Sequence, residues 1–179
     1  QLLLSDKVPF LYARGSRQIA DCVEMIRIAH GVSAEEFKQR AYTWTVINTN
    51  SPLQLDVPMA EGIIDTAAVG QVLIITPFTL AGAMAPVTLA GALVLQHAEA
   101  LCGIVLTQIV RRGVPVMYGG FTSNVDMKTG APAFGTPEYT KAAQASGQLA
   151  RHIGVPFRSS NVTAANAIDA QAAYESQMA

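Results

Sequence analysis

The chain has 179 residues, of which 50% are hydrophobic and 14% are charged, and its formal net charge is −1. Because the chain is nearly neutral and its basic residues are scattered, it has no strongly positive surface potential that would attract nucleic acid or anionic lipid. Neither is expected as a partner. A chain this apolar must bury much surface, in its own core, against further sequence or against other subunits, and we expect a homo-oligomer.

The N-terminal part is predicted to be helical. Ser33 and Glu36 have the spacing of a capping box, which begins a helix that ends near Arg40, and residues 1–41 are assigned to an N-terminal helical segment. The aromatic and β-branched run 43–47 then predicts a first strand.

The middle of the chain predicts a helix, a strand and a long helix. Residues 57–69 form the first helix, which Gly70 closes. The fully apolar run 72–75 is typical of a buried parallel strand. The second helix is predicted to carry Pro86 in its first turn and to end near Arg111.

The long helix lies in an apolar stretch that is long enough for a membrane-spanning helix. Four polar residues interrupt the stretch: Gln96, His97, Glu99 and Gln108. We therefore predict a buried helix of a water-soluble protein.

The last third continues the alternation. Residues 114–118 predict a third strand, which is followed by a long loop over 121–135. A helix over 136–152 begins with a threonine cap and a first-turn proline. Residues 155–158 predict a fourth strand, and a last helix is expected to begin near Ala164.

The alternation predicts an α/β fold with parallel strands. We assign residues 42–179 to a partial (β/α)8 TIM-type barrel of about four βα units. A doubly wound sheet satisfies the same pattern, but neither of the usual glycine-rich nucleotide-binding motifs occurs. Since a complete barrel needs roughly 250 residues, we expect this chain to be a piece of a longer polypeptide.

The two cysteines, Cys22 and Cys102, lie far apart in helix-like sequence. They are predicted to be buried free thiols in a reducing compartment, which indicates a cytoplasmic protein. No cysteine and histidine pair has zinc-ligand spacing, so no metal site is expected.

An active site is expected at the carboxyl ends of the strands, in either fold. There, Asp126 could stabilise its own loop through backbone hydrogen bonds, or it could orient a cationic substrate. Tyr118 could donate a hydrogen bond or present its ring face to a cation, or it could only pack in the core. Arg158 could bind a carboxylate or pair with an acidic neighbour. Asn48 and Asn50 could bind substrate or only form turns.

Several phrases of the sequence resemble the trimethylamine:corrinoid methyltransferase family. They are residues 47–53, 75–78, 80–88, 118–130, 135–138 and 148–151, and the resemblance covers the chain from about Tyr42 onward. The resemblance implies a barrel enzyme that moves a methyl group from a tertiary or quaternary methylamine to Co(I) of a corrinoid. The corrinoid is carried by a partner protein, so this chain is expected to bind no cofactor directly.

The resemblance, combined with the strand ends, gives candidate roles. We expect Asp126 and Tyr118 to be catalytic. Substrate-binding candidates are Asn48, Asn50, Arg158 and Asn161, and the candidates that would face the corrinoid are Gly119, Gly120 and Ser159.

One position departs from the archaeal trimethylamine enzymes. The pyrrolysine that they carry would fall at or near Val162, within an ordinary run of residues. The chain therefore resembles the non-pyrrolysine branch, for which glycine betaine or a related quaternary amine is the expected substrate. Two alternatives remain at this point: a pterin-dependent barrel methyltransferase, and an inactive fragment that assembles only with partner chains.

Overall fold

A computed structural model describes residues 2–12 and 14–178 of the chain. Its helices are α1 (Ser16–His30), α2 (Ala34–Phe37), α3 (Val57–Ala68), α4 (Leu89–Val110), α5 (Pro137–His152) and α6 (Ala170–Met178). Its strands are β1 (Trp44–Ile47), β2 (Val72–Ile75), β3 (Leu80–Ala81), β4 (Val116–Gly119), β5 (Ser123–Asn124) and β6 (Phe157–Arg158).

The main sheet has four strands in the order β1-β2-β4-β6, and every neighbouring pair is parallel. This confirms the predicted α/β fold with parallel strands. A second, two-stranded parallel sheet joins β3 to β5. Closure of the main sheet into a barrel stays a prediction, because the strands that would complete it are not among the described residues.

The two faces of the main sheet have different surroundings. Side chains alternate between faces along a strand, and Ile47, Ile75 and Tyr118 share one face by register. These side chains join one hydrophobic core with residues of α3, α4 and α5, such as Ile63 and Ala100. The helices therefore cover this face, which we call the helix face.

The opposite face, which we call the open face, carries a second apolar row. Val46, Ile74 and Met117 form this row, since they are paired in register. Residues 9–11 extend the sheet beyond β1, where the Leu11 amide donates to the Trp44 carbonyl at 2.8 Å and the Phe10 ring packs on the Trp44 indole. The N-terminal segment is thereby continuous with the sheet.

Gln71 fastens the segment before β1 to the start of β2. Its buried side-chain oxygen accepts from the amides of Tyr42 and Thr43, and its amide nitrogen donates to the carbonyls of Phe37 and Arg40. The same nitrogen also lies 3.1 Å from the Val69 carbonyl. Because buried backbone groups need partners, one glutamine here serves five of them.

Helix α4 is the central helix and is long and apolar enough to cross a membrane by length and composition. In the structure it packs on β2, β4, α3 and α5. A side chain at Gly103 would meet Ile75 at 2.6 Å, so the glycine permits a close approach of α4 to the sheet. The helix is therefore a packed element of the α/β layer, as its polar interruptions predict.

Several predicted boundaries are wrong by a few residues. Helix α4 begins at Leu89, not around Pro86, because the Thr88 hydroxyl accepts from the Gly91 amide and caps the helix there. The third strand begins at Val116, after Pro115, and α6 begins at Ala170, after the Asp169 carboxylate accepts from the Ala172 amide. The short strands β3 and β5 were not predicted.

The burial predicted for both cysteines is also wrong. Cys102 is exposed on the outer side of α4, and Cys22 is only partly buried. An all-apolar helix gives no periodicity from which its outer side could be identified.

Candidate functional site

The carboxyl ends of the four parallel strands lie along one edge of the main sheet. The register pairs Ile47 with Ile75, Ile75 with Tyr118, and Gly119 with Arg158. One residue further along, the register therefore aligns Asn48, Thr76, Gly119 and Arg158 in a single row. By alternation this row faces the open side of the sheet, opposite to Tyr118.

A buried carboxylate of α4 holds the loop that follows β1. Glu99 is 4% exposed and accepts from the Thr49 hydroxyl, from the Ser51 hydroxyl at 2.8 Å and from the Leu53 amide at 2.7 Å. Three donors compensate for the burial of the charge. The loop after β1 is thus tied to the middle of α4 and not left to solvent.

One turn earlier on α4, the fully buried Gln96 holds the ends of β2 and β4. Its nitrogen donates to the Ser146 hydroxyl of α5 at 2.8 Å and to the Tyr118 hydroxyl at 3.1 Å. Its oxygen accepts from the Thr122 hydroxyl, which lies 2.5 Å from the Thr79 hydroxyl. Because Thr79 precedes β3 and Thr122 precedes β5, Gln96 anchors the small sheet that these two strands form.

Tyr118 lies inside this network. Its hydroxyl is 3.2 Å from Nδ1 of His97 and its ring is fully buried on the helix face. Burial raises the pKa of Tyr118, against the opposing hydrogen bond from Gln96, and burial together with the charge of His152 lowers the pKa of His97. Both groups are therefore held neutral at neutral pH.

Aromatic side chains from the loops gather above the strand ends. Phe78 follows β2, Phe121 follows β4, and Phe134 and Tyr139 lie before and within α5. Ring centroids lie 5.3 Å apart for Phe78 and Phe121, and 5.1 Å apart for Phe121 and Phe134. Tyr139 meets Phe121 and Phe134 edge-on. We call these four residues the tip aromatic cluster, and its three phenylalanines are half-buried.

Two of the residues singled out in the sequence are occupied by their own loops. Asp126 is exposed, and its carboxylate accepts from the Lys128 amide at 2.9 Å and from the Thr129 hydroxyl at 2.7 Å, which together lower its pKa. Asn50 closes the turn before α3, where its side-chain oxygen accepts from the Asp56 amide at 2.9 Å. A role for either in a reaction stays a prediction.

The two glycines at the end of β4, Gly119 within the strand and Gly120 just after it, are sites of close approach. A side chain at Gly119 would overlap the Thr76 hydroxyl at 2.0 Å, and one at Gly120 would press on Ser146 at 3.1 Å. The missing side chain of Gly119 would therefore lie on the open face, and that of Gly120 would lie toward the helices. The two glycines thus do not open space for a ligand on the same face of the sheet.

The remaining candidates lie at the end of β6 and just after it. Arg158 is half-buried, and its side chain has no hydrogen bond or ion pair in the described part of the chain. The Ser159 hydroxyl oxygen is buried, and Asn161 is exposed two residues further on. The Ser160 carbonyl accepts from the Tyr139 hydroxyl at 2.5 Å, which joins this loop to the tip aromatic cluster.

The sequence predictions missed the residues that organise the site. The sequence identifies Gln96 and Glu99 only as polar interruptions of an apolar helix, and it predicts no role for the phenylalanines. A usable signal existed, since Gln96 and Glu99 are three residues apart and thus share a helix side. Phe78 and Phe121 each closely follow a predicted strand end.

The known proteins that are similar to this chain are methyltransferases by name. The sequence profile of the family described as Trimethylamine methyltransferase (MTTB) matches residues 1–179. A glycine betaine methyltransferase of Desulfitobacterium hafniense (strain Y51) is 39% identical over 175 residues, which are 97% of this chain and 36% of that protein. The trimethylamine methyltransferase MttB of Methanosarcina thermophila is 33% identical over 153 residues, which are 85% of this chain and 32% of that protein. The chain thus spans about a third of the length of these curated relatives.

We predict that Glu99→Gln loosens the loop after β1. The three donors now share two carboxylate oxygens, whereas glutamine offers them only one acceptor oxygen. The Leu53 amide therefore loses its protection against hydrogen exchange. In the full-length protein, hydrogen exchange at Leu53 should be about tenfold faster or more, as expected for loss of a charge-assisted bond. Glu138→Gln, at the exposed first turn of α5, is the matched control. Unchanged exchange at Leu53 would show that Glu99 does not hold the loop.

Proposed function

Because the chain belongs to the trimethylamine methyltransferase (MTTB) family, we propose that the full-length protein moves a methyl group from a methylated amine to Co(I) of a corrinoid carried by a separate protein. The observation that carries the proposal is the tip aromatic cluster at the carboxyl edge of the parallel sheet. Since the chain spans about a third of its relatives, this activity is assigned to the whole polypeptide.

The tip aromatic cluster supplies what a methylated cation needs. Ring faces attract quaternary ammonium groups, which have no N–H to donate and only apolar surface to present. Half-buried rings exclude water from one side of the cation, which strengthens the attraction. In this role Phe78, Phe121 and Phe134 hold the nitrogen. The hydrogen-bonded Thr79 and Thr122, which directly follow Phe78 and Phe121, fix the backbone beside two of the rings.

The strand ends fit a reaction whose nucleophile comes from outside the chain. Residues 48–51, 76–78, 118–121 and 158–161 contain amides, hydroxyls and rings, and no cysteine, lysine or histidine. The corrinoid, when delivered, supplies a strong nucleophile in Co(I). The task left to this chain is to bind the amine, orient one methyl group and exclude water.

The electron balance favours a quaternary substrate. The C–N bond breaks and its electron pair stays on nitrogen, while the methyl carbon gains the electron pair of Co(I). A quaternary ammonium then leaves as a neutral tertiary amine and needs no proton. We therefore propose a glycine betaine-like substrate, in keeping with the name of the 39% identical relative, a glycine betaine methyltransferase.

The individual residue roles are part of the proposal. Asn48 and Arg158 lie in the row on the open face, where a substrate beneath the rings would meet them. Tyr118 acts from behind the site by hydrogen-bonding Gln96, which makes it a positioning residue. Gly119 leaves that row without a side chain of its own.

We propose that the main sheet continues into a (β/α)8 barrel. Its strands follow chain order without the reversal of a doubly wound sheet, and its helices join one core on one face. The apolar row on the open face would then line the barrel interior. A crystal structure of the full-length protein with helices on both faces would contradict this.

We also propose a cytoplasmic homo-oligomer whose copies meet through the outer side of α4. Val94, Ala98, Cys102, Val105 and Ile109 form an exposed stripe on this side, and the valines and isoleucine are 53–75% exposed. A two-fold interface brings the same surface patch of both subunits together. An uncharged apolar stripe can pack against its own copy without placing like charges opposite each other. Cys102 lies at its middle.

We predict methyl transfer in a direct assay. When the full-length protein is mixed with a Co(I) corrinoid protein and glycine betaine, the visible spectrum should change to that of a methylated corrinoid without any pterin. Strict dependence on a pterin would support the alternative methyltransferase, and no methylation with any methylated amine would contradict the proposal.

We predict that Phe121→Leu weakens substrate binding. Leucine keeps apolar volume but removes the ring face, so the KM for the methylated amine should rise about threefold to thirtyfold, which corresponds to ~0.5–2 kcal/mol. Tyr174→Leu, on the exposed helix α6, is the control. An unchanged KM in Phe121→Leu would show that the cluster does not hold the substrate.

For the proposed oligomer, we predict that copper–phenanthroline oxidation of the full-length protein yields a disulfide-linked dimer through Cys102, and that Cys102→Ser abolishes it. Val105→Asp should shift the mass measured by light scattering toward the monomer, because it buries an unpaired charge at the interface. A monomeric wild-type protein, or an unaltered mass for Val105→Asp, would show that copies do not meet through the outer side of α4.

A further inference from the structure

The row on the open face contains a buried hydroxyl without a partner. Thr76 is 1% exposed, and its Oγ1 has no hydrogen-bond partner among residues 2–12 and 14–178. The Thr76 hydroxyl lies over the Cα of Gly119, where any larger residue would displace it. Because buried hydroxyls almost always find a partner, the unpaired Thr76 hydroxyl calls for an explanation, and a ligand contact is one.

The same row ends in a cation without a counter-ion. Arg158 is paired in register with Gly119, so its side chain leaves the sheet on the same face as Thr76. Its neighbour Phe157 turns the other way and packs on Gly147 of α5. No ion pair or hydrogen bond of the Arg158 guanidinium is found in the described ranges, although it is half-buried.

Arg158 also lies within electrostatic reach of the tip aromatic cluster. Burial raises the pKa of Tyr139, and the charge of Arg158 is among the effects that oppose this. Tyr139 in turn contacts Phe121 and Phe134. An anion site in the row and a cation site in the cluster are therefore neighbours.

We propose that Thr76 and Arg158 form a carboxylate subsite, so that the substrate is a zwitterion whose quaternary nitrogen lies on the tip aromatic cluster and whose carboxylate lies in the row. The guanidinium donates to the carboxylate and the Thr76 hydroxyl donates to one of its oxygens. The missing side chain of Gly119 leaves room for the Thr76 hydroxyl in the row. This deepens the proposed function, on which it rests for the identity of the cation.

The test compares two ligands that share a quaternary nitrogen, of which only one carries a carboxylate. Calorimetric binding to the full-length protein is measured with glycine betaine and with tetramethylammonium, which has the cation alone. Arg158→Gln should weaken glycine betaine by about tenfold to a hundredfold, and Thr76→Val by about threefold to tenfold. Neither variant should change tetramethylammonium binding by more than about twofold.

A matched control and a fold check accompany the variants. Thr66→Val removes another fully buried hydroxyl without a described partner, on α3 and outside the row, and it should leave both affinities unchanged. The melting temperature of Thr76→Val is measured to check that this variant is folded. Arg158→Gln provides a second variant, and because Arg158 is half-buried its replacement does not disturb the packing of the core.

The outcomes separate the subsite from the activity. If glycine betaine and tetramethylammonium bind the wild type equally, or weaken equally in Arg158→Gln and Thr76→Val, the carboxylate subsite is wrong even if methyl transfer occurs. If the selective loss is seen but no corrinoid is methylated, the subsite stands and the proposed reaction fails.

Discussion

The site depends on two buried polar residues of an otherwise apolar helix. Gln96 and Glu99 make six hydrogen bonds between them, five to the strand ends and the loops after them and one to Ser146 of α5. Loops fixed to a helix core lose little further entropy on binding a ligand, because their conformations are already restricted. The rigidity that the site needs therefore comes from α4 and not from the loops themselves.

Parallel register then divides the strand ends into two chemical environments. On the helix face, Tyr118 and the residues around it are satisfied by one another and closed to ligand. On the open face, Thr76 and Arg158 keep unused hydrogen-bonding capacity beside the half-buried rings. A one-residue alternation thus separates the groups that hold the site from those that are free to bind.

The sequence predicts the order of the main elements well, because each has a local signature. The capping box of Ser33 and the apolar run of β2 are examples. It also predicts a site at the strand ends, which is where the polar and aromatic side chains gather in the structure. It fails where the cause is long-range: Gln96 meets Ser146 across fifty residues, and the aromatic rings meet only after folding. The two-residue strands β3 and β5 have no pattern long enough to recognise.

The contact between Thr76 and Gly119 has an evolutionary consequence. Since the threonine hydroxyl occupies the space of a missing Cβ, the two positions cannot vary independently. An alanine at position 119 is accommodated only if position 76 first becomes smaller, and that smaller residue gives up the hydroxyl or its branch. Homologues should therefore show epistasis between these sites, and a lineage that exchanges one of them crosses a fitness valley unless its ligand changes at the same time.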